Sequence, residues 1–315
     1  LQVFGLNLEY QLTDIWSLMF DGAYNKVDKT ITSLEVYSSM GGRVGTTGQL
    51  FDNVGFEMNK RGATFDYGLP YDDYSQVYLA GSQNWGGGNP FASGSDDQDG
   101  FVNIADFEEE LTTLRLQANA DFDGAITSVQ FGVNYSDREK SKLNSGYFLT
   151  SPVYPGAQLV PDKYRNGTVA LDFLGGQRMV AIDGRGLYNS GYYIKTSEGL
   201  TNPNRAADSY TITEKVTTGY AQLNYDLEFQ DVPITGNLGL QYVYSDQQGD
   251  GFGGQVGTTP VVAIPVSEGT SYADWLPSFN MAIGLTDQLT ARLGASRTMS
   301  RSRLAYLAAS CVVVL

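Results

Sequence analysis

Apolar and polar side chains alternate along this chain in runs of about ten residues, and the runs come in pairs joined by short turns. In the first pair Phe4, Leu6, Leu8 and Tyr10 alternate with Gly5, Asn7 and Glu9. The turn is Gln11 to Asp14, after which Trp16, Leu18, Phe20, Gly22 and Tyr24 alternate with Ser17, Met19 and Asp21. A second pair sets Leu114, Leu116, Ala118, Ala120 and Phe122 against Val129, Phe131, Val133 and Tyr135 around Asp123-Gly124, a dipeptide that tight hairpin turns favour. The third places Gly219, Ala221, Leu223, Tyr225, Leu227 and Phe229 before a turn at Gln230 to Pro233, followed by Ile234, Leu238, Leu240, Tyr242 and Tyr244. In the fourth, Trp275, Phe279, Met281, Ile283 and Leu285 lead through Thr286-Asp287-Gln288 to Leu289, Ala291, Leu293 and Ala295. Period-two alternation predicts antiparallel strands with one apolar and one polar face.

Turns within hairpins are short, whereas roughly 85, 75 and 25 residues separate the hairpins, far beyond an ordinary loop. One rim of the sheet is therefore tight and the other elaborate, the asymmetry of outer-membrane barrels. The long segments are expected to hold further strands, for instance within Val54 to Leu69 and Tyr74 to Gly81, and a short helix around Asp106 to Glu110. Alternation alone fits a soluble β-sandwich or propeller with the apolar side inward as well as a barrel with that side toward lipid. The one-sided loops favour lipid, as do aromatic residues near strand ends (Tyr10, Trp16, Tyr24, Tyr135, Tyr225, Trp275).

Composition narrows the function. Apolar residues at 42% imply a folded chain, and no apolar stretch approaches the length of a membrane helix. A net charge of −15 argues against nucleic acid as a partner. The absence of His removes imidazole catalysis and His metal sites, and a single Cys, Cys311, cannot form an internal disulfide.

Several local patterns invite a chemical reading. Gly249 to Gly254 has GxGxxG spacing but sits between strands with no helix to follow, so a loop tip is expected. Ser95, Asp97, Asp99 and Asp106 fall at the ligand positions of a calcium loop, with Gly100 at its turn, although Ser replaces the first acid and Asp the bidentate Glu. A solvated acidic loop is the plainer account. Asp72, Asp73, Glu108, Glu109 and Glu110 supply carboxylates that glycoside hydrolysis would need, yet no spacing singles out a pair. Trp85 with Tyr71, Tyr74 and Tyr78 would stack on a sugar ring, or simply anchor a loop. No cofactor motif is recognised.

Beyond the pattern, particular residues resemble the barrel domain of TonB-dependent receptors. They are Tyr220-Ala221-Gln222-Leu223-Asn224, Val232 through Gly239, Tyr272 through Asn280, and Leu293 through Arg301, with Phe107 through Leu111 and Phe131 through Lys140 upstream. The likeness covers most of residues 1–310, in the branch common among Caulobacter-like proteobacteria, and leaves 311–315 as an atypical tail. It implies an all-β, antiparallel transmembrane barrel, here about eight spanning strands from a 22-stranded barrel with long extracellular loops. It further implies a Gram-negative outer-membrane location, with lipid around the barrel. The activity implied is energised uptake of a siderophore, cobalamin or oligosaccharide, with no enzymatic step. The TonB complex would act through a plug domain that is expected to be missing from this chain. On this reading Arg115, Gln117, Asn134, Tyr220, Gln222, Asn224, Asn237, Gln241 and Arg292 line the lumen, and Trp85 belongs to a recognition loop. A piece of so wide a barrel is expected to leave exposed sheet edges. The alternative is a soluble β-rich protein that binds or hydrolyses carbohydrate.

Overall fold

The computed structural model describes residues 1–60, 62–82, 98–301 and 307–313. Its body is a meander. Strands β1 (Gln2–Gln11) and β2 (Trp16–Val36) form the first hairpin, and the following segment carries β3 (Ser39–Met40), β4 (Gly55–Asn59), β5 (Gly62–Asp66) and β6 (Val77–Leu79). The second hairpin is β7 (Gly100–Asp121) and β8 (Ile126–Asn144). After it come β9 (Tyr147–Thr150), β10 (Gln158–Leu159), β11 (Arg165–Leu171), β12 (Gln177–Ile182), α1 (Gly184–Asn189), β13 (Ile194–Ser197), α2 (Glu198–Thr201) and α3 (Pro203–Ala206). The third hairpin is β14 (Tyr210–Phe229) with β15 (Val232–Gln255), the fourth β16 (Ala263–Thr286) with β17 (Leu289–Ser296), and β18 (Cys311–Val313) follows. Neighbours run antiparallel in the order β1-β2-β7-β8-β14-β15-β16-β17. Among the described residues β1 pairs only with β2 and β17 only with β16, so the sheet is open at both edges.

Register carries the alternation across every strand. One row reads Leu8, Phe20, Leu116, Val133, Gly219, Tyr242, Trp275; the row beneath it reads Tyr10, Leu18, Ala118, Phe131, Ala221, Leu240, Pro277. These side chains are not buried in a core: Leu8 and Leu116 are each 56% exposed, Leu293 58% and Trp275 55%. A water-soluble sandwich would have removed this surface from solvent, and leaving it bare over so many strands is tolerable only against hydrocarbon. The turns match the strands. Gln230 and Asp231 both take positive φ (51° and 63°), the two-residue hairpin geometry whose twist suits flanking strands.

Strand length departs from expectation. β2, β7, β14, β15 and β16 run for 20 to 24 residues, and the connections shrink to residues 37–99, 145–209 and 256–262. Above the apolar band the outward positions turn charged and continue pairing: Tyr24 is followed by Lys26 and Asp28, and Tyr135 by Asp137 and Glu139. The aromatic residues at these two positions therefore mark the border of the apolar band rather than a strand end, and Trp275 lies well inside β16. The expected helix at Asp106–Glu110 is part of β7. Glu110 accepts from Lys26 Nζ at 2.9 Å across to β2, while Glu109 accepts from Arg138 Nε at 2.8 Å across to β8, and these cross-strand partners override local helix propensity.

The two long connections fold together at one end of the sheet. Strands β3 and β6 from the first and β10 from the second make a common sheet. Met40, Val77 and Leu79 pack with Val102 of β7 and with Leu149, Val160, Tyr164, Leu187 and Tyr193 in a single core. Val102 shares the parity of Leu114 and Leu116, so the face that is bare lower down is covered here by the loops.

Candidate functional site

The polar flank carries a hydrogen-bonded ladder. Gln117, Gly132, Tyr220 and Gln241 stand in one register row across β7, β8, β14 and β15. Tyr220 donates its hydroxyl to Gln117 Oε1 at 2.6 Å and accepts from Arg115 Nε at 3.0 Å. Arg115 also donates to Gln117 Oε1, and Gln117 Nε2 passes the chain on to Asn119 Oδ1 at 2.7 Å. Gly132 makes this possible, because a Cβ there would stand 2.7 Å from the Tyr220 hydroxyl and 2.5 Å from the Leu116 carbonyl. Two strands over, Gln222 donates to Asn224 Oδ1 at 3.0 Å, Asn224 to Ser128 Oγ at 2.7 Å, and Asn280 to Asn237 Oδ1 at 2.9 Å. Asn134 shares a row with Arg115, and Arg292 lies opposite Ala282 on the same flank. All nine barrel-wall candidates thus share one side of the sheet. The ladder presents mainly amides and hydroxyls, groups that offer both donors and acceptors to a polar solute.

Toward the loop end the same flank becomes charged. Arg138 bridges to Glu109, Lys142 to Asp208 at 2.5 Å, and Arg301 to Glu214 at 3.1 Å, with Gln247 donating to Glu214 at 2.5 Å. The sequence offered Glu109 only as a hydrolytic carboxylate and singled out neither Arg138 nor Glu214 as a wall residue; extending the parity of Arg115, Asn134 and Tyr220 along their own strands would have reached all three. Part of this region is covered. Bare backbone at Gly249 and Gly251 lies against the Leu307 and Ala309 carbonyls, and Gly254, of opposite parity, lies against Pro203 on the other flank. The GxGxxG stretch is therefore not a loop tip but the end of β15, where missing side chains admit another backbone. Beyond the reach of β14, β18 pairs parallel with Gly253–Gln255.

In the loops, Asp99 ties the two connections together. Its carboxylate is fully buried and accepts from Arg43 Nη2 at 2.7 Å, Gly81 N at 2.8 Å and Ser151 N at 2.6 Å. Arg43 itself is 2% exposed, donates to the Gly156 carbonyl at 3.2 Å and lies 4.6 Å above the Tyr154 ring. These partners occupy Asp99 as a structural tie between the loops. Asp106 is separated from it along β7 and accepts from Thr30 at 2.5 Å. The structure does not gather Asp99 and Asp106 into a calcium site, and no metal-binding group occurs among the described residues. Ser95, Asp97 and Trp85 lie outside the described residues. Tyr71 donates to Asp52 at 3.1 Å, and burial together with that carboxylate pushes its hydroxyl up to about 12. Tyr74 donates to the carbonyls of Gly167 and Ala181 at 2.7 and 2.6 Å. Both hydroxyls anchor the loops, as the plainer account of these aromatics held.

Comparison with curated proteins returned no match. The family model described as TonB dependent receptor-like, beta-barrel matches residues 42–311. That span takes in six of the eight meander strands, in their observed order, together with the second long connection and the first from residue 42 onward. This is a family of outer-membrane receptors and transporters, not enzymes. The chain belongs to the TonB-dependent receptor β-barrel family.

Proposed function

We propose that this sheet is a stretch of barrel wall whose polar flank lines the path of a scarce, polar substrate (a siderophore, cobalamin or an oligosaccharide), with the joined outer loops as its recognition surface. The observation that carries this reading is the two-sidedness of the wall: one flank bare and apolar, the other a ladder from Arg115 to Asn119 and from Gln222 to Ser128. Half-buried side-chain amides lining a wall suit a solute that must be held weakly at many successive places and released from each. Outer-membrane lipid is the partner of the apolar flank. Energy would come from the TonB complex acting through a plug domain. The soluble carbohydrate-binding alternative loses its footing with the exposed flank, since such a protein has no use for it.

Detergent dependence tests the reading. Purified chain is expected to stay monodisperse only in micelles or bilayers, and a monodisperse, folded preparation in plain buffer would contradict it.

A further inference from the structure

Arg115 is placed unlike the cations toward the loop end of the polar flank. Arg138, Lys142 and Arg301 each have a carboxylate partner. Arg115 stands directly opposite Asp21 in the β2–β7 register, yet no ion pair joins them; Asp21 instead accepts from Asn7 Nδ2 at 3.2 Å. The Arg115 side chain turns the other way, over Gly132, to Tyr220 and Gln117. Its guanidinium lies 5.7 Å from the Tyr220 ring centre. The Tyr220 hydroxyl and the Gln117 carbonyl oxygen hold one edge of the fork, and its remaining N–H groups have no protein acceptor among the described residues.

Holding a flexible cation by neutral partners fixes its direction without cancelling its charge. A guanidinium so held keeps an open edge whose spacing matches the two oxygens of a carboxylate or phosphate. Asp21 nearby weakens long-range attraction, so recognition comes from short, paired hydrogen bonds and favours an anionic group able to make two of them. The amides around it serve hydroxyls equally well, so within the Arg115–Asn119 ladder it is Arg115 that separates acidic from neutral solutes.

We propose that Arg115, set by Tyr220 over Gly132 and by Gln117, is an anion subsite that takes a carboxylate or phosphate group of a passing small molecule. The proposal rests on the polar flank facing the lumen. Inorganic phosphate is the probe, titrated into the chain folded in detergent micelles while the Arg115 Nε–H resonance is followed by NMR. A saturable shift is expected in the unaltered chain. Arg115→Gln should abolish saturable phosphate binding measured by calorimetry, Arg115→Lys should weaken it about tenfold by losing the fork, and Tyr220→Phe should weaken it about threefold by loosening the guanidinium. Each variant is first checked for folded, heat-modifiable mobility, and Tyr220→Phe, which keeps the charge, carries the test if Arg115→Gln does not fold. No saturable shift, or phosphate binding unchanged by Arg115→Gln or by Tyr220→Phe, overturns the subsite. The underlying reading is checked separately in vesicles with a charged, membrane-impermeant maleimide, in a Cys311→Ser background that removes the exposed native thiol: Gln222→Cys should react and Leu223→Cys should not. Equal reaction of both overturns the lumen assignment itself.

Discussion

Tyr220 on β14 lies across Gly132 on β8 and donates to Gln117 on β7 at 2.6 Å, so that one side chain spans three strands. The opposite flank repeats the arrangement: Tyr225 lies across Gly236 and donates to the Asn280 carbonyl at 3.2 Å. In both places a glycine that would otherwise weaken its strand is covered by a neighbouring aromatic ring. Gly132→Ala puts a methyl group where the Tyr220 hydroxyl and a carbonyl already stand, and should destabilise the sheet by about 1–3 kcal/mol. Tyr220→Phe, which removes only the hydroxyl, should cost about 1 kcal/mol. Urea unfolding in micelles measures both, and a neutral Gly132→Ala would mean the ring does not rest there.

Charge tolerance should follow parity. Lys at Leu223 or Leu240 meets hydrocarbon and should cost about 2–4 kcal/mol near mid-bilayer, whereas Lys at the adjoining Gln222 or at Asn237 should cost little. Unfolding in lipid vesicles reads the difference. Similar costs on the two flanks would contradict the assignment of faces.

The Arg43–Asp99 tie should hold the two long connections as one body. Arg43→Ala leaves a fully buried carboxylate without its cation, a loss of about 3–5 kcal/mol that falls on the loops rather than on the barrel strands. Hydrogen exchange should accelerate in residues 37–82 and 145–209 while β7, β8, β14 and β15 stay protected. Acceleration confined to the first connection would show that the loops are held together by something else.

Calcium should not matter to this tie. A cation at Asp99 would have to displace Arg43 and two backbone N–H donors from an interior site. Thermal unfolding of the loops is expected to be the same in calcium and in chelator, and a rise in midpoint with calcium would point to a site the carboxylate geometry does not provide.

How much of this was legible depended on the range of the interaction involved. The four hairpins and the side taken by each residue were written in the alternation, because a period of two admits no other arrangement once register is set. Pairs such as Leu116 with Val133 and Leu223 with Leu238 follow directly from it. Strand extensions were not legible: Glu108 to Glu110 favours helix locally, and only Lys26 and Arg138, on other strands, make it sheet. The Asp99 acid repeat resembled a cation loop for a similar reason, since its partner Arg43 is distant in the chain. Gly249 read as part of a loop tip and Gly132 carried no reading of its own, and their purpose appears only when Tyr220 and Leu307 are seen lying over them.

The most direct test of the two-sided wall is a nitroxide scan of residues 219 to 227 on β14 in lipid bilayers, comparing collision with oxygen and with a water-soluble nickel chelate. Oxygen access should peak at Gly219, Ala221, Leu223, Tyr225 and Leu227, and nickel access at Tyr220, Gln222, Asn224 and Asp226, with the two profiles out of phase. Profiles that rise and fall together, or nickel access that peaks at Leu223, would contradict the account.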